Sequence, residues 1–105
     1  MKTCKMAPND LLLIVDPQND FMPEGALAVK GAEQIIPVLN DWIDAAEKSH
    51  TPIIVTRDWH PSNHCSFKEH GGAWPVHCVQ ETPGAAFDDR IKLPPNTPII
   101  NKAYQ

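Results

Sequence analysis

Apolar residues in this chain follow two different periods. Leu11-Leu12-Leu13-Ile14-Val15 is an unbroken apolar run, and a run with no polar face suits a strand covered on both sides in a mostly parallel sheet. It predicts a central strand, ending where Asp16 and Pro17 lead into the turn-forming Gln18-Asn19-Asp20. Phe21 to Gly31, punctuated by Pro23, Gly25 and Gly31, reads as a connection. From about Glu33 to Ser49 the period lengthens. Ile35, Ile36, Leu39, Ile43 and Ala46 recur at steps of three and four, opposite Asn40, Asp41, Asp44, Glu47 and Lys48, which predicts an amphipathic helix with Trp42 at the border of its faces. Pro37 is compatible with that helix only in its first turn. Pro52 to Asp58 is a second β-rich run ending in a carboxylate, and Thr97 to Lys102 is a third.

Strand, helix and strand make a βαβ unit, whose crossover is right-handed and whose strands are parallel. Asp16, Asp58 and Lys102 are then expected at one carboxyl edge of one sheet, where open α/β sheets bind ligands. Strand ends are wet, so each charge taken singly is explained by solvation. Together they face a connection of unusual composition. Residues 59 to 96 hold Trp59, His60, His64, Cys65, His70, Trp74, His77 and Cys78, and a connection this long with so many aromatic and thiol groups points to function rather than disorder. Within it, Ala85 to Ile91 is expected to form a helical turn or two. Met1 to Asn9 reads as a surface lead-in.

Composition narrows the chemistry. At 105 residues the chain is one domain at most, burying roughly 60 to 70% of its unfolded surface. Nine basic against 13 acidic residues give a net charge of -4, which argues against nucleic-acid and membrane-surface partners and for a small molecule. Three cysteines, Cys4, Cys65 and Cys78, form no disulfide framework, so a reducing cytoplasm is the default expectation. No run has the pattern of a signal peptide or the length of a membrane span. Asp58 and His60, two apart in an extended segment, point the same way, and with His77 they offer one oxygen and two nitrogens to Zn²⁺, Fe²⁺ or Mn²⁺. His50, His64 and His70 read as exposed or turn histidines. A zinc knuckle built from Cys65, Cys78 and histidines lacks the spacing such sites use.

Four motifs, taken in order, carry a resemblance: the strand leading into Asp16-Pro17-Gln18-Asn19-Asp20-Phe21, the Arg57-Asp58-Trp59-His60-Pro61 run, the Trp74-Pro75-Val76-His77-Cys78 run and the final Asn101-Lys102. Together they resemble the nicotinamidases, also called pyrazinamidases, of the isochorismatase-like cysteine hydrolases. The resemblance implies a three-layer αβα fold with a mostly parallel sheet. It also implies a catalytic aspartate at Asp16, a catalytic lysine at Lys102 and metal ligands at Asp58, His60 and His77, with Zn²⁺ the first choice of ion. Phe21 and Trp74 match the aromatic walls around a pyridine ring. His64 or Ser66 is open as a further ligand, and Cys78 matches a position that is not the nucleophile.

In that family a cysteine thiolate attacks the carboxamide, and the nucleophile lies in the second half of a chain of about two hundred residues. None of Cys4, Cys65 and Cys78 sits at a matching motif. Residues 1–105 are therefore expected to be the N-terminal half of one domain, inactive alone, with the missing half as its partner and a homo-oligomer open to it through the unpaired edge of the Leu11 to Val15 strand. Two other expectations are kept: a metal-independent hydrolase of the same fold, and an inert metal-binding fragment. Pyridine-nucleotide salvage is the physiological role implied.

Overall fold

The computed structural model describes residues 6–104, so Cys4 and the first residues of the lead-in lie outside the described residues. Three strands pair in parallel in the order β1 (Leu12–Val15), β2 (Ile53–Asp58), β3 (Ile99–Lys102). Helix α1 (Ile35–Lys48) connects β1 to β2, giving the expected βαβ unit. Pro37 is the third residue of α1, in the first turn, where its missing N–H costs no helical bond. Among the described residues the central strand is β2, not the Leu11 to Val15 run as expected. β1 pairs on one side only, through Leu12↔Ile53 to Val15↔Thr56.

The core lies between the sheet and α1. Ile14, Ile53 and Val55 from the strands meet Ile36, Ile43 and Ala46 from the helix, with Met22 and Ile91 closing the ends. Strand alternation then dictates the opposite face, where Leu13, Val15 and Ile100 remain 51%, 61% and 50% exposed. β1 is thus covered on one face rather than both. The described residues supply two of the expected layers, a sheet and a helix. Ile35, expected in the core set, is 44% exposed. It is the first residue of α1 and borders an open, largely apolar groove of about 350 Å³ with Val15, Asp16, Phe21, Val29 and Ala32.

Ala85 to Ile91 is not helical, contrary to expectation. Its backbone is used in cross-links to the turn after β1: the Asn19 amide donates to the Ala86 carbonyl and the Asp88 amide to the Pro17 carbonyl, each at 2.9 Å. Helical bonding would have withdrawn those groups. No helix among the described residues is long and apolar enough to cross a membrane.

Candidate active site

The carboxyl ends of the strands build the site. Asp16 ends β1 by adopting a left-handed conformation, φ 52°, which costs an aspartate less than a β-branched residue and swings the carboxylate away from the strand line. Its Oδ1 accepts the Thr56 hydroxyl at 2.8 Å. Its Oδ2 lies 2.7 Å from Lys102 Nζ, and the same ammonium lies 2.6 Å from Asp58 Oδ1. Register explains the convergence, because Asp58 and Lys102 are directly paired across β2 and β3 and so share a face. Burial draws the Lys102 pKa down, but the hydrogen bonds and charges of Asp16 and Asp58 outweigh it and hold the group above its ordinary range. Lys102 is a committed cation between two carboxylates.

A second cluster adjoins through Asp58. His60 Nε2 is 3.6 Å from Asp58 Oδ2. Asp58, His60 and His77 each offer one ligand atom, all within 4.8 Å of one another. The loop is brought to His60 by a short parallel bridge: the His60 amide donates to the Cys78 carbonyl at 3.0 Å, and the Gln80 amide to the His60 carbonyl at 2.8 Å. His60 Nδ1 lies 2.8 Å from the Ala103 carbonyl and His77 Nδ1 2.7 Å from the Pro75 carbonyl. A carbonyl only accepts, so each Nδ1 carries a proton, and in the neutral ring that leaves Nε2 with the lone pair, the tautomer of a metal ligand. Burial lowers the His60 pKa, against the pull of the Ala103 carbonyl and Asp58, a shift toward the neutral form that binds metals. One oxygen and two nitrogens suit a divalent transition ion.

Phe67, wholly buried, is the floor of this cluster, its ring centroid 5.5 Å from that of His60 and 5.6 Å from that of His77. Phe21 lies at the rim with its ring 5.8 Å from His77. Trp74 is tied by its backbone to Ser66 and Lys68, and the residue is 52% exposed. His64, expected to be exposed, is buried: its ring stacks on His60 at 4.2 Å. Its Nδ1 is 2.7 Å from Ser66 Oγ, and it stands outside the three-residue group. His50 and His70 are exposed. Cys78 is a buried free thiol whose pKa is pushed up to about 12, first by burial and then by Asp20, Asp58 and Asp16; it packs rather than reacts.

Sequence reasoning passed over Gln18, Asp20, Thr56 and Phe67. Gln18 and Asp20 were legible only as turn formers. Their side chains in fact reach across the sheet end, and Asp20 Oδ2 accepts the Cys78 amide at 2.8 Å while Oδ1 accepts that of Ala26 at 3.2 Å.

A parallel sheet with a carboxylate–ammonium–carboxylate bridge at its carboxyl edge is here joined to an Asp-His-His cluster of metal-ligand types. The isochorismatase-domain family model matches residues 10–104, and the chain belongs to that family. It is 40% identical to a nicotinamidase of Acinetobacter baylyi over 116 aligned positions, covering 95% of this chain and 52% of that protein. The fold superposes on the pyrazinamidase of Pyrococcus horikoshii in complex with zinc with a TM-score of 0.89 at 50% identity, covering 93% of this chain and 54% of the other. Against the yeast nicotinamidase bound to the inhibitor nicotinaldehyde the TM-score is 0.80 at 32% identity, covering 90% and 56%. The chain spans about half the length of the relatives it matches.

Proposed function

We propose that residues 1–105 are the N-terminal half of a nicotinamidase-type domain, contributing its acid/base pair, its metal ligands and part of its pyridine pocket. The observation that carries this reading is the placement of Lys102 Nζ within 2.7 Å of Asp16 and 2.6 Å of Asp58, with Asp58 grouped with His60 and His77. A carboxylate, a cation and a group of potential metal ligands thus adjoin at one end of the sheet. The relatives named as nicotinamidases and pyrazinamidases support a pyridine carboxamide as substrate, and the zinc complex of one structural neighbour supports zinc as the ion.

In this reading the substrate amide is hydrolysed to nicotinic acid and ammonia through a cysteine acyl-enzyme, the thiol being supplied by the other half of the domain. Asp16, held by Thr56 and Lys102, takes the thiol proton and returns it to the departing amine. Lys102 stabilises the thiolate. Phe21 and Trp74 flank the ring. Asp58, His60 and His77 would hold the divalent ion, which when bound would supply a Lewis-acid site for positioning the substrate.

The test joins this chain to the C-terminal half of a nicotinamidase relative. The 105-residue chain alone is expected to release no ammonia from nicotinamide, and the fusion to release it. Asp16→Asn in the fusion should lower the rate about 100-fold, the scale of general acid/base catalysis. Turnover by the isolated chain, at confirmed mass, would place the nucleophile among its own cysteines and overturn the proposal.

A further inference from the structure

The turn after β1 contains a residue that neither the motif comparison nor the charge pattern assigns a role. Gln18 is fully buried. Its Oε1 accepts the Asp58 amide at 2.9 Å, and its Nε2 donates to the Asp58 carbonyl at 2.8 Å and to the Ala85 carbonyl at 2.9 Å. Every hydrogen-bonding valence that a primary amide can use in that space is thereby directed at backbone, and two of the three bonds go to one residue.

The pairing has a specific geometric meaning. In a parallel sheet the amide and carbonyl of alternate residues point to the same neighbour. The Thr56 carbonyl accepts the Asp16 amide at 3.1 Å, so Thr56 faces β1, and so does Asp58 two residues on. β1 has ended by then, because Asp16 turns away at φ 52°. The Gln18 side chain occupies the place of the missing strand and continues the β1–β2 ladder by one rung, at the residue whose carboxylate joins Lys102 and the two histidines.

From this we infer that Gln18 is a positioning residue for the Asp58 carboxylate: it clamps the Asp58 peptide where the strand can no longer do so, and thereby sets the affinity and geometry of the metal cluster. The inference rests on the reading of Asp58, His60 and His77 as metal ligands. A structural amide serving only the fold would have no reason to affect ion binding, whereas groups that orient a metal ligand without touching the ion change affinity about 10- to 100-fold when removed. Gln18 touches neither ion nor substrate, and its effect is transmitted through one peptide unit.

The experiment is a Co²⁺ titration of the 105-residue chain followed by visible absorption, with unfolding of the metal-free protein measured in parallel. Gln18→Met keeps the length and abolishes all three bonds; Gln18→Glu keeps an acceptor for the Asp58 amide and, ionised, has no donor for either carbonyl. Both variants are expected to fold, to bind Co²⁺ about 10- to 100-fold more weakly and to show an altered ligand-field band. Affinity within twofold of wild type in both overturns the proposal. So does failure of both to fold even at saturating Co²⁺, which would make Gln18 a general core residue. His60→Ala separates the underlying reading: if it binds Co²⁺ as well as wild type, the metal assignment itself is wrong and the role of Gln18 falls with it, whereas loss in His60→Ala with retention in the Gln18 variants refutes the positioning role alone.

Discussion

Cys65 and Cys78 differ in the properties that set thiol reactivity. Cys65 is exposed and Cys78 buried, and Cys78 is held up at about 12 by burial and surrounding carboxylates. In a Cys4→Ser background, Ellman's reagent at pH 8 should modify Cys65 rapidly and Cys78 only after denaturation; equal rates in the native protein would contradict the packing described. The sign for stability follows from the same shift. The fold favours the neutral thiol, so that contribution is complete below the ordinary value of 9.0 and is lost as pH rises toward 12. Cys78→Ala should accordingly flatten the alkaline limb of the stability profile, measured by denaturant midpoints across that range. Thr56 offers a second residue-level check. Its hydroxyl donates to Asp16 Oδ1, and Thr56→Val keeps the shape while removing the donor, so in the fused enzyme kcat should fall about tenfold or more with little change in KM.

At the scale of elements, the loop between β2 and β3 depends on close backbone approach. A Cβ added to Gly72 would overlap the backbone carbonyl of Ser66, and a carbonyl, unlike the tip of a flexible side chain, cannot swing aside. Gly72→Ala should destabilise the chain by about 1–3 kcal/mol in chemical denaturation and loosen the segment carrying His64, Phe67 and Trp74; an unchanged midpoint would show that the loop repacks freely. This loop also marks where sequence reasoning stopped. The strands and α1 were legible because burial imposes a period on the chain, and Asp16, Asp58 and Lys102 were legible because strand ends in a βαβ unit share an edge. Gln18 and Asp20 were not, since a side chain that bonds to distant backbone leaves no periodic trace. Burial of His64 was hidden for a related reason: it depends on Phe67 and His60 meeting across a connection whose path no local pattern specifies. The turn predicted over Ala85 to Ile91 failed because its amides and carbonyls were already committed to residues 17–19.

At the scale of the whole molecule, the described residues leave the sheet with one covered face and one bare one. Among the described residues β1 also has no strand partner on its other edge, beside Leu13 and Val15, a template for another strand. The isolated chain should therefore self-associate with rising concentration, and Leu13→Lys should reduce that association in size-exclusion light scattering without lowering the unfolding midpoint, because Leu13 lies outside the core. Loss of folding in Leu13→Lys would show that this face is already covered. The bare face carries a further consequence through Lys102, whose side chain is 44% exposed. Asp58 and Lys102 belong to the same face as Leu13 and Val15, so whatever settles on that face also removes water from the charges. The attraction between two opposite charges grows about fourfold when the effective dielectric constant falls from that of bulk water to the value of about 20 typical near a protein surface. Covering the sheet would thus strengthen the attraction between the ammonium and both carboxylates through the local dielectric constant, with no movement of any of them.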